Sequence, residues 1–265
     1  MKNIFFCDID GTIIDGTRGM VEPSEYTRYA FKELLKNNYV FIASGRCKVL
    51  LPNWIFDLNP SGYVLCNGSY VECDNKVIFN ECFDENTLNK IKEVVTKYNG
   101  FYLNENKVKM YVNDFNSDAF NMFVKSWKLD INDYYALEDG AFRDYNISMI
   151  GFTNREDCLK MEKELSSYVD LEIHNRKLSY DCNIKGINKG VGVKKAIEYL
   201  NIDPDNSYAF GDAINDLGML KAVKNPVVMG NGSKELKAYG FTLTDDVIND
   251  GLYKYLVDNK LIMAK

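Results

Sequence analysis

The chain has 265 residues, 46% hydrophobic and 26% charged, which is enough for one large domain or two modest ones, each with a core. A formal net charge of −6 disfavours long-range steering of nucleic acid. No apolar run approaches the ~20 residues needed to span a bilayer. Seven cysteines without a C-x-x-C pair, and a single histidine, fit neither a disulfide framework nor a zinc finger.

The first apolar run, Ile4 to Cys7, ends abruptly in Asp8-Ile9-Asp10-Gly11-Thr12. It is short, rich in β-formers and apolar on both faces, the pattern of a central parallel strand covered on both sides. It carries no export signal, so a cytoplasmic location is expected. Ser24 is a candidate N-cap for a helix reaching about Asn37, with Tyr26, Ala30, Phe31, Leu34 and Leu35 at helical spacing. The strands Tyr39–Ala43 and Tyr63–Cys66 follow, ending in Ser44-Gly45-Arg46 and Asn67-Gly68. From Tyr70 to Phe83 the pattern alternates around Asp74-Asn75, which predicts a hairpin.

From about 83 to 184 the pattern changes. Helix-like stretches at 84–98 and 154–168 lie among strand-like ones such as Lys107–Val112 and Asn146–Phe152. This predicts an inserted α+β domain with an antiparallel sheet, whose many Tyr and Phe residues are read mostly as core. His174 is read as a surface or loop residue, with a substrate contact through His174-Asn175-Arg176-Lys177 as the alternative. The first pattern resumes after Lys185. Lys189 opens a helix reaching about Leu200, Tyr208–Phe210 closes on Gly211-Asp212-Ala213-Ile214-Asn215-Asp216, and Val227–Met229 closes on Gly230-Asn231-Gly232.

Ligands of parallel sheets bind beyond the carboxyl ends of the strands. Asp8, Asp10, Ser44, Lys189, Asp212, Asn215 and Asp216 all stand there. Oxygen-only donors suit Mg²⁺. A lysine and backbone N–H donors suit a phosphate oxyanion. Carboxylates left over can serve as nucleophile and acid/base. The set describes phosphoryl transfer through an aspartyl-phosphate.

These residues give the chain a close resemblance to the haloacid dehalogenase superfamily, and within it to the Cof-like capped phosphatases. Asp8-Ile9-Asp10-Gly11-Thr12, Ala43-Ser44-Gly45-Arg46, Lys189-Gly190 and Gly211-Asp212-Ala213-Ile214-Asn215-Asp216 match its four motifs in order. The Asp181-Cys182-Asn183 approach to Lys189 departs from the family's acidic-apolar segment there. The resemblance implies an α/β fold: a doubly wound, Rossmann-like parallel sheet over 1–82 and 185–265, with a cap over 83–184 that closes on the site and selects the substrate. It implies that Asp8 is the nucleophile and Asp10 the acid/base. Ser44, Gly45 and Lys189 would bind the phosphoryl group. Asp8, Asp212 and the Asp10 carbonyl would bind Mg²⁺, with Asn215 and Asp216 holding its waters or the lysine. The expected activity is hydrolysis of small organic phosphate esters such as sugar phosphates or phosphorylated cofactors, by a monomer or homodimer. A phosphomutase or other phosphotransferase, and a non-catalytic binding protein on the same fold, are the alternatives.

Overall fold

In the computed structural model, which describes residues 2–106, 109–127, 129–137, 144–174 and 176–265, strand β1 (Ile4–Cys7) is buried along its whole length. Helix α1 (Glu25–Leu34) starts at Ser24, whose Oγ accepts from Thr27 N at 3.0 Å. It ends three residues before the expected Asn37. Its last turn tightens into Lys36 N to Glu33 O and Asn37 N to Leu34 O bonds, and the Asn38 side chain also donates to Leu34 O. Strands β2 (Tyr39–Ala43) and β3 (Gly62–Leu65) flank the short helix α2 (Asn53–Asp57). Strands β4 (Tyr70–Cys73) and β5 (Lys76–Asn80) form the predicted hairpin. Asp74 and Asn75 both take positive φ, at 48° and 61°, as a tight two-residue turn requires.

The middle of the chain supplies α3 (Glu85–Lys97), β6 (Phe101–Glu105), β7 (Met110–Val112), α4 (Asp118–Trp127), β8 (Tyr134–Ala136), β9 (Ile147–Gly151), α5 (Arg155–Leu165), β10 (Val169–Ile173) and β11 (Ser179–Ile184). Of the strand predicted over Lys107–Val112, residues 107 and 108 lie outside the described residues. The chain then returns through α6 (Lys189–Leu200), β12 (Ser207–Gly211), α7 (Leu217–Ala222), β13 (Asn225–Val228), α8 (Lys234–Lys237), β14 (Thr242–Leu243) and α9 (Gly251–Asp258). Among the described residues no helix is long and apolar enough to cross a membrane. All seven cysteines are free thiols.

Two compact units result. The first comprises Met1–Arg46, Leu51–Asn80 and Asn188–Lys265. Its sheet runs β14-β13-β12-β1-β2-β3-β4-β5, parallel from β14 to β3 and antiparallel across β4 and β5. Ile4 and Phe6 of β1 share a core with Phe41, Val64, and Val193 and Ala196 of α6. On the opposite side Phe5 stacks on Tyr208 at 4.7 Å, and Phe210 meets Tyr255 of α9 edge-on. Burial on both faces explains why these strands read as unbroken apolar runs.

The second unit comprises Cys47–Leu50 and Glu81–Ile187. Its sheet runs β10-β11-β9-β6-β7-β8. It is antiparallel except between β7 and β8, which pair in parallel. The predicted all-antiparallel sheet is corrected there because α4 makes the crossover that a parallel pair needs. Residues 47–50, placed with the core in the sequence reading, belong to this unit. Leu50 packs on the cluster of Phe101, Leu103 and Phe120, and the Cys47 thiol hydrogen-bonds Glu105.

Candidate active site

Three loops of the first unit converge at the carboxyl end of β1. Asp8 N donates to Phe210 O at 3.0 Å, extending the β1–β12 ladder by one residue and holding the Asp8 carboxylate at the strand end. Gly11 follows with φ +86°. A Cβ on Gly11 would stand 2.1 Å from Asp212 Oδ2, so only glycine lets this turn pass beside that carboxylate. Asn231 ties the turn down: its Nδ2 donates to Gly11 O at 2.7 Å, and its Oδ1 accepts from Val247 N at 2.9 Å.

Lys189 reaches the same place from the first turn of α6. Asn188 caps that helix, its Oδ1 accepting from Gly190 N at 2.9 Å. Gly68, at φ +95°, allows the close approach, since a Cβ there would meet Asn188 O at 2.1 Å. Lys189 Nζ, on a side chain only 1% exposed, donates to Asp8 Oδ1 and to Asp216 Oδ1, both at 2.6 Å. Asp216 Oδ2 accepts from Asp212 N at 2.9 Å and Ala213 N at 3.1 Å, which shapes the loop after β12. One carboxylate oxygen from each of Asp8, Asp212 and Asp216 lies within 4.8 Å of the other two. Asp212 Oδ1 is buried without a hydrogen-bond partner.

Three clustered carboxyl groups, Asp8 and Asp216 buried and Asp212 partly so, share one ammonium. Burial, with repulsion from Asp216 and against the pull of Lys189, pushes Asp8 up to about 7. Burial, with repulsion from Asp8 and Asp216, pushes Asp212 up to about 8. Burial alone would discharge Lys189, but Asp216 and Asp8 outweigh it and raise its pKa. Three carboxyl groups to one ammonium, an orphaned carboxylate oxygen and an oxygen-only donor set fit a hard divalent cation held by Asp8, Asp212 and Asp216.

Sequence reasoning assigned the metal to Asp8, Asp212 and the Asp10 carbonyl, with Asp216 and Asn215 around them. By carboxylate position, Asp216 completes the trio. The Asp10 carboxylate stands outside it, 57% exposed and held in a fork by Arg46, with Nη2 2.9 Å from Oδ1 and Nε 3.1 Å from Oδ2. Arg46, read before as either ion pair or substrate contact, therefore forms an ion pair with Asp10. Ser44 is buried at the end of β2, its N donating to Val64 O at 2.8 Å and its Oγ accepting from Arg46 N at 3.2 Å. Gly45 has no room for a Cβ, which would lie 2.9 Å from Asn67 Oδ1. Asn215 is half-buried in the same loop as Asp212 and Asp216.

Two residues escaped the sequence reading. Thr12 Oγ1 is buried and unpartnered, and its position inside the Asp-x-Asp-Gly-Thr run was the available signal. Asn188, one residue before Lys189, carried the ordinary signature of an N-cap.

Known proteins resemble this chain over most of its length. YkrA of Bacillus subtilis (strain 168), named as a candidate phosphatase, is 32% identical over 256 residues, covering 95% of each chain. The B. subtilis 5-amino-6-(5-phospho-D-ribitylamino)uracil phosphatase YcsE is 27% identical over 253 residues, covering 93% of this chain and 91% of its own. Among solved structures, BT1666 from Bacteroides thetaiotaomicron shares the fold at a TM-score of 0.87 and 22% identity, covering 99% of this chain and 96% of its own. The sugar phosphatase BT4131 shares it at 0.83 and 21%, covering 98% and 100%. The model of the haloacid dehalogenase-like hydrolases matches residues 5–256, and the chain belongs to that family.

Proposed function

We propose that this chain is a Mg²⁺-dependent phosphatase of small organic phosphate monoesters that works through an aspartyl-phosphate on Asp8. The observation that carries the reading is the Asp8 carboxylate, buried at the end of β1, held by Lys189 at 2.6 Å and clustered with Asp212 and Asp216. A carboxylate nucleophile needs its negative charge balanced before a phosphate dianion can approach. The chemistry Mg²⁺ supplies when bound, at Asp8, Asp212 and Asp216, is that balance and the neutralisation of the phosphoryl oxygens.

Asp8 attacks phosphorus as the bond to the ester oxygen breaks, and Asp10 gives the leaving oxygen its proton. Asp10 then takes a proton from water as that water attacks the phosphorus of the aspartyl-phosphate, freeing inorganic phosphate and the Asp8 carboxylate. Both Asp10 oxygens accept hydrogen bonds from Arg46, so proton transfer requires one of them to be released. Ser44 Oγ, Gly45 N and Lys189 Nζ hold the transferred oxygens, since positioning and charge stabilisation dominate phosphoryl transfer. The printed substrate of YcsE and the sugar phosphatase name of BT4131 support sugar phosphates or phosphorylated cofactor precursors. The second unit is the proposed selector of the leaving group.

Release of inorganic phosphate from a panel of phosphate monoesters, with Mg²⁺ and without an added acceptor alcohol, tests the reading. Turnover that stops in Asp8→Asn supports it. Turnover equal in wild type and in an Asp8→Asn protein verified against deamidation defeats it.

A further inference from the structure

The second unit holds a cavity of about 110 Å³ between α4 and the turn from β10 to β11. Its wall is a run of aromatic rings. Phe101 lies 5.2 Å from Phe123, Phe123 lies 5.9 Å from Trp127, and Trp127 meets the His174 ring edge-on at 5.7 Å. Trp127 ends the run 45% exposed, an unusual place for a large indole unless something covers it. Three polar residues, Ser126, Arg176 and Ser179, join the lining. Ser179 is buried, and its Oγ lies 2.7 Å from His174 Nδ1. Arg176 is exposed and has no carboxylate partner among the described residues.

We propose that this cavity is a binding site for a small planar aromatic carboxylate, its ring against Trp127 and Phe123 and its anionic group on Arg176. Shape, polarity and charge all enter. At about 110 Å³ the cavity is smaller than the roughly 150 Å³ that encloses benzene, but it is partly open to solvent, so a single ring enters with one edge left outside and a fused polycycle does not. Flat aromatic walls favour a flat aromatic guest through offset or edge-on contacts. Against the chain's net charge of −6, the local preference for an anion over a neutral or cationic ring rests on Arg176, the cation in the cavity lining. The site uses none of the residues assigned to phosphoryl transfer and stands apart from the phosphatase reading.

Trp127 gives the test a direct signal, because the only other tryptophan, Trp54, is buried in the first unit. Benzoate is titrated into the full-length protein at fixed ionic strength, following tryptophan fluorescence and saturation transfer to the benzoate protons by NMR, with benzyl alcohol as the neutral comparison. Saturable benzoate binding is expected with Kd on the order of 1 mM, as befits a fragment. Arg176→Gln should weaken benzoate about fivefold and leave benzyl alcohol unchanged. Ser126→Phe, which fills the cavity from α4, should abolish both, and Trp127→Phe should remove the fluorescence change while NMR still reports binding. No saturation by about 20 mM benzoate, or equal benzoate affinity in Arg176→Gln, overturns the proposal. So does self-association in sedimentation that Trp127→Ala removes while benzoate fails to bind, since that outcome gives the face to a second copy of the chain.

Discussion

Both units bury ionisable side chains, and they do so with opposite results. In the first unit, Asp8, Asp212 and Asp216 share the single ammonium of Lys189, with Asp212 Oδ1 unpartnered. In the second, Glu105, His174 and Asp181 lie together, and His174 is hydrogen-bonded through both ring nitrogens. His174 Nε2 lies 3.0 Å from Asp181 Oδ1 and its Nδ1 2.7 Å from Ser179 Oγ. Burial and the neighbouring Asp181 push Glu105 up to about 7, which favours its neutral form. Burial works against the His174 imidazolium, but Asp181, Glu172 and Glu105 prevail and raise its pKa. His174 joins both Ser179 and Asp181, and Glu105 takes the Cys47 thiol, so this cluster finds its partners within the unit. Burial of charge therefore does not mark a site by itself; an imbalance that the protein cannot neutralise does.

The contrast breaks most visibly at Lys189. Lys189→Met keeps the volume and removes the cation paired with Asp8 and Asp216, leaving the cluster of three carboxyl groups without it. A loss of about 3–5 kcal/mol in urea unfolding is expected, with no measurable phosphate release. Wild-type stability in that variant would show that the carboxylates are not charged together. Asp10→Asn comes next. It retains the shape and most of the contact with Arg46 but cannot transfer a proton, so kcat should fall about 10²–10⁴-fold, as read by steady-state phosphate release.

Metal binding sharpens the comparison through pH. The raised Asp8 and Asp212 pKa values mean that the native, metal-free protein keeps protons that the unfolded chain has released. Their contribution to stability is therefore present at low pH and is lost as pH rises from about 4 to about 8. Mg²⁺ competes with those protons. At roughly a hundred times its Kd it should add about 2.7 kcal/mol, some 5–10 °C in Tm, at about pH 8, and much less at about pH 5. An equal gain at both pH values, or an undiminished gain in Asp212→Asn, would count against the carboxylate trio as the metal site. The smallest effect is expected in the balanced cluster. His174→Gln loses hydrogen bonds to Ser179 and Asp181 and should cost about 1–2 kcal/mol in thermal unfolding, with kcat unchanged.

His174 also marks where sequence reading stopped. The sequence places it on the surface or in a loop; it does lie in the loop between β10 and β11, but its side chain is only 15% exposed and paired on both nitrogens. Nothing local announces that Ser179 and Asp181, two apart on one face of β11, come back beside it, because the β10–β11 pairing decides that. The parallel pairing of β7 and β8 was equally hidden, since α4 connects strands too short to show their direction. Strands β1, β2, β3 and β12 are legible because they are buried almost throughout and end at glycine-flanked polar turns. Tyr39–Ala43 could be read to the residue.

The linear order of residues determined which groups this protein can bring to a strand end: two aspartates after β1, a serine after β2, a lysine opening α6 and an acidic loop after β12. Short-range rules suffice for that, because hydrophobic period, capping and turn chemistry act over a few positions. Only the tertiary structure decided how those charges divide. It turned Asp10 outward into the Arg46 fork, drew Asp216 inward onto Lys189, and left Asp212 Oδ1 without a partner. Those outcomes depend on distances of a few ångströms between residues up to about two hundred positions apart, and on desolvation, which exists only once the chain has closed around them.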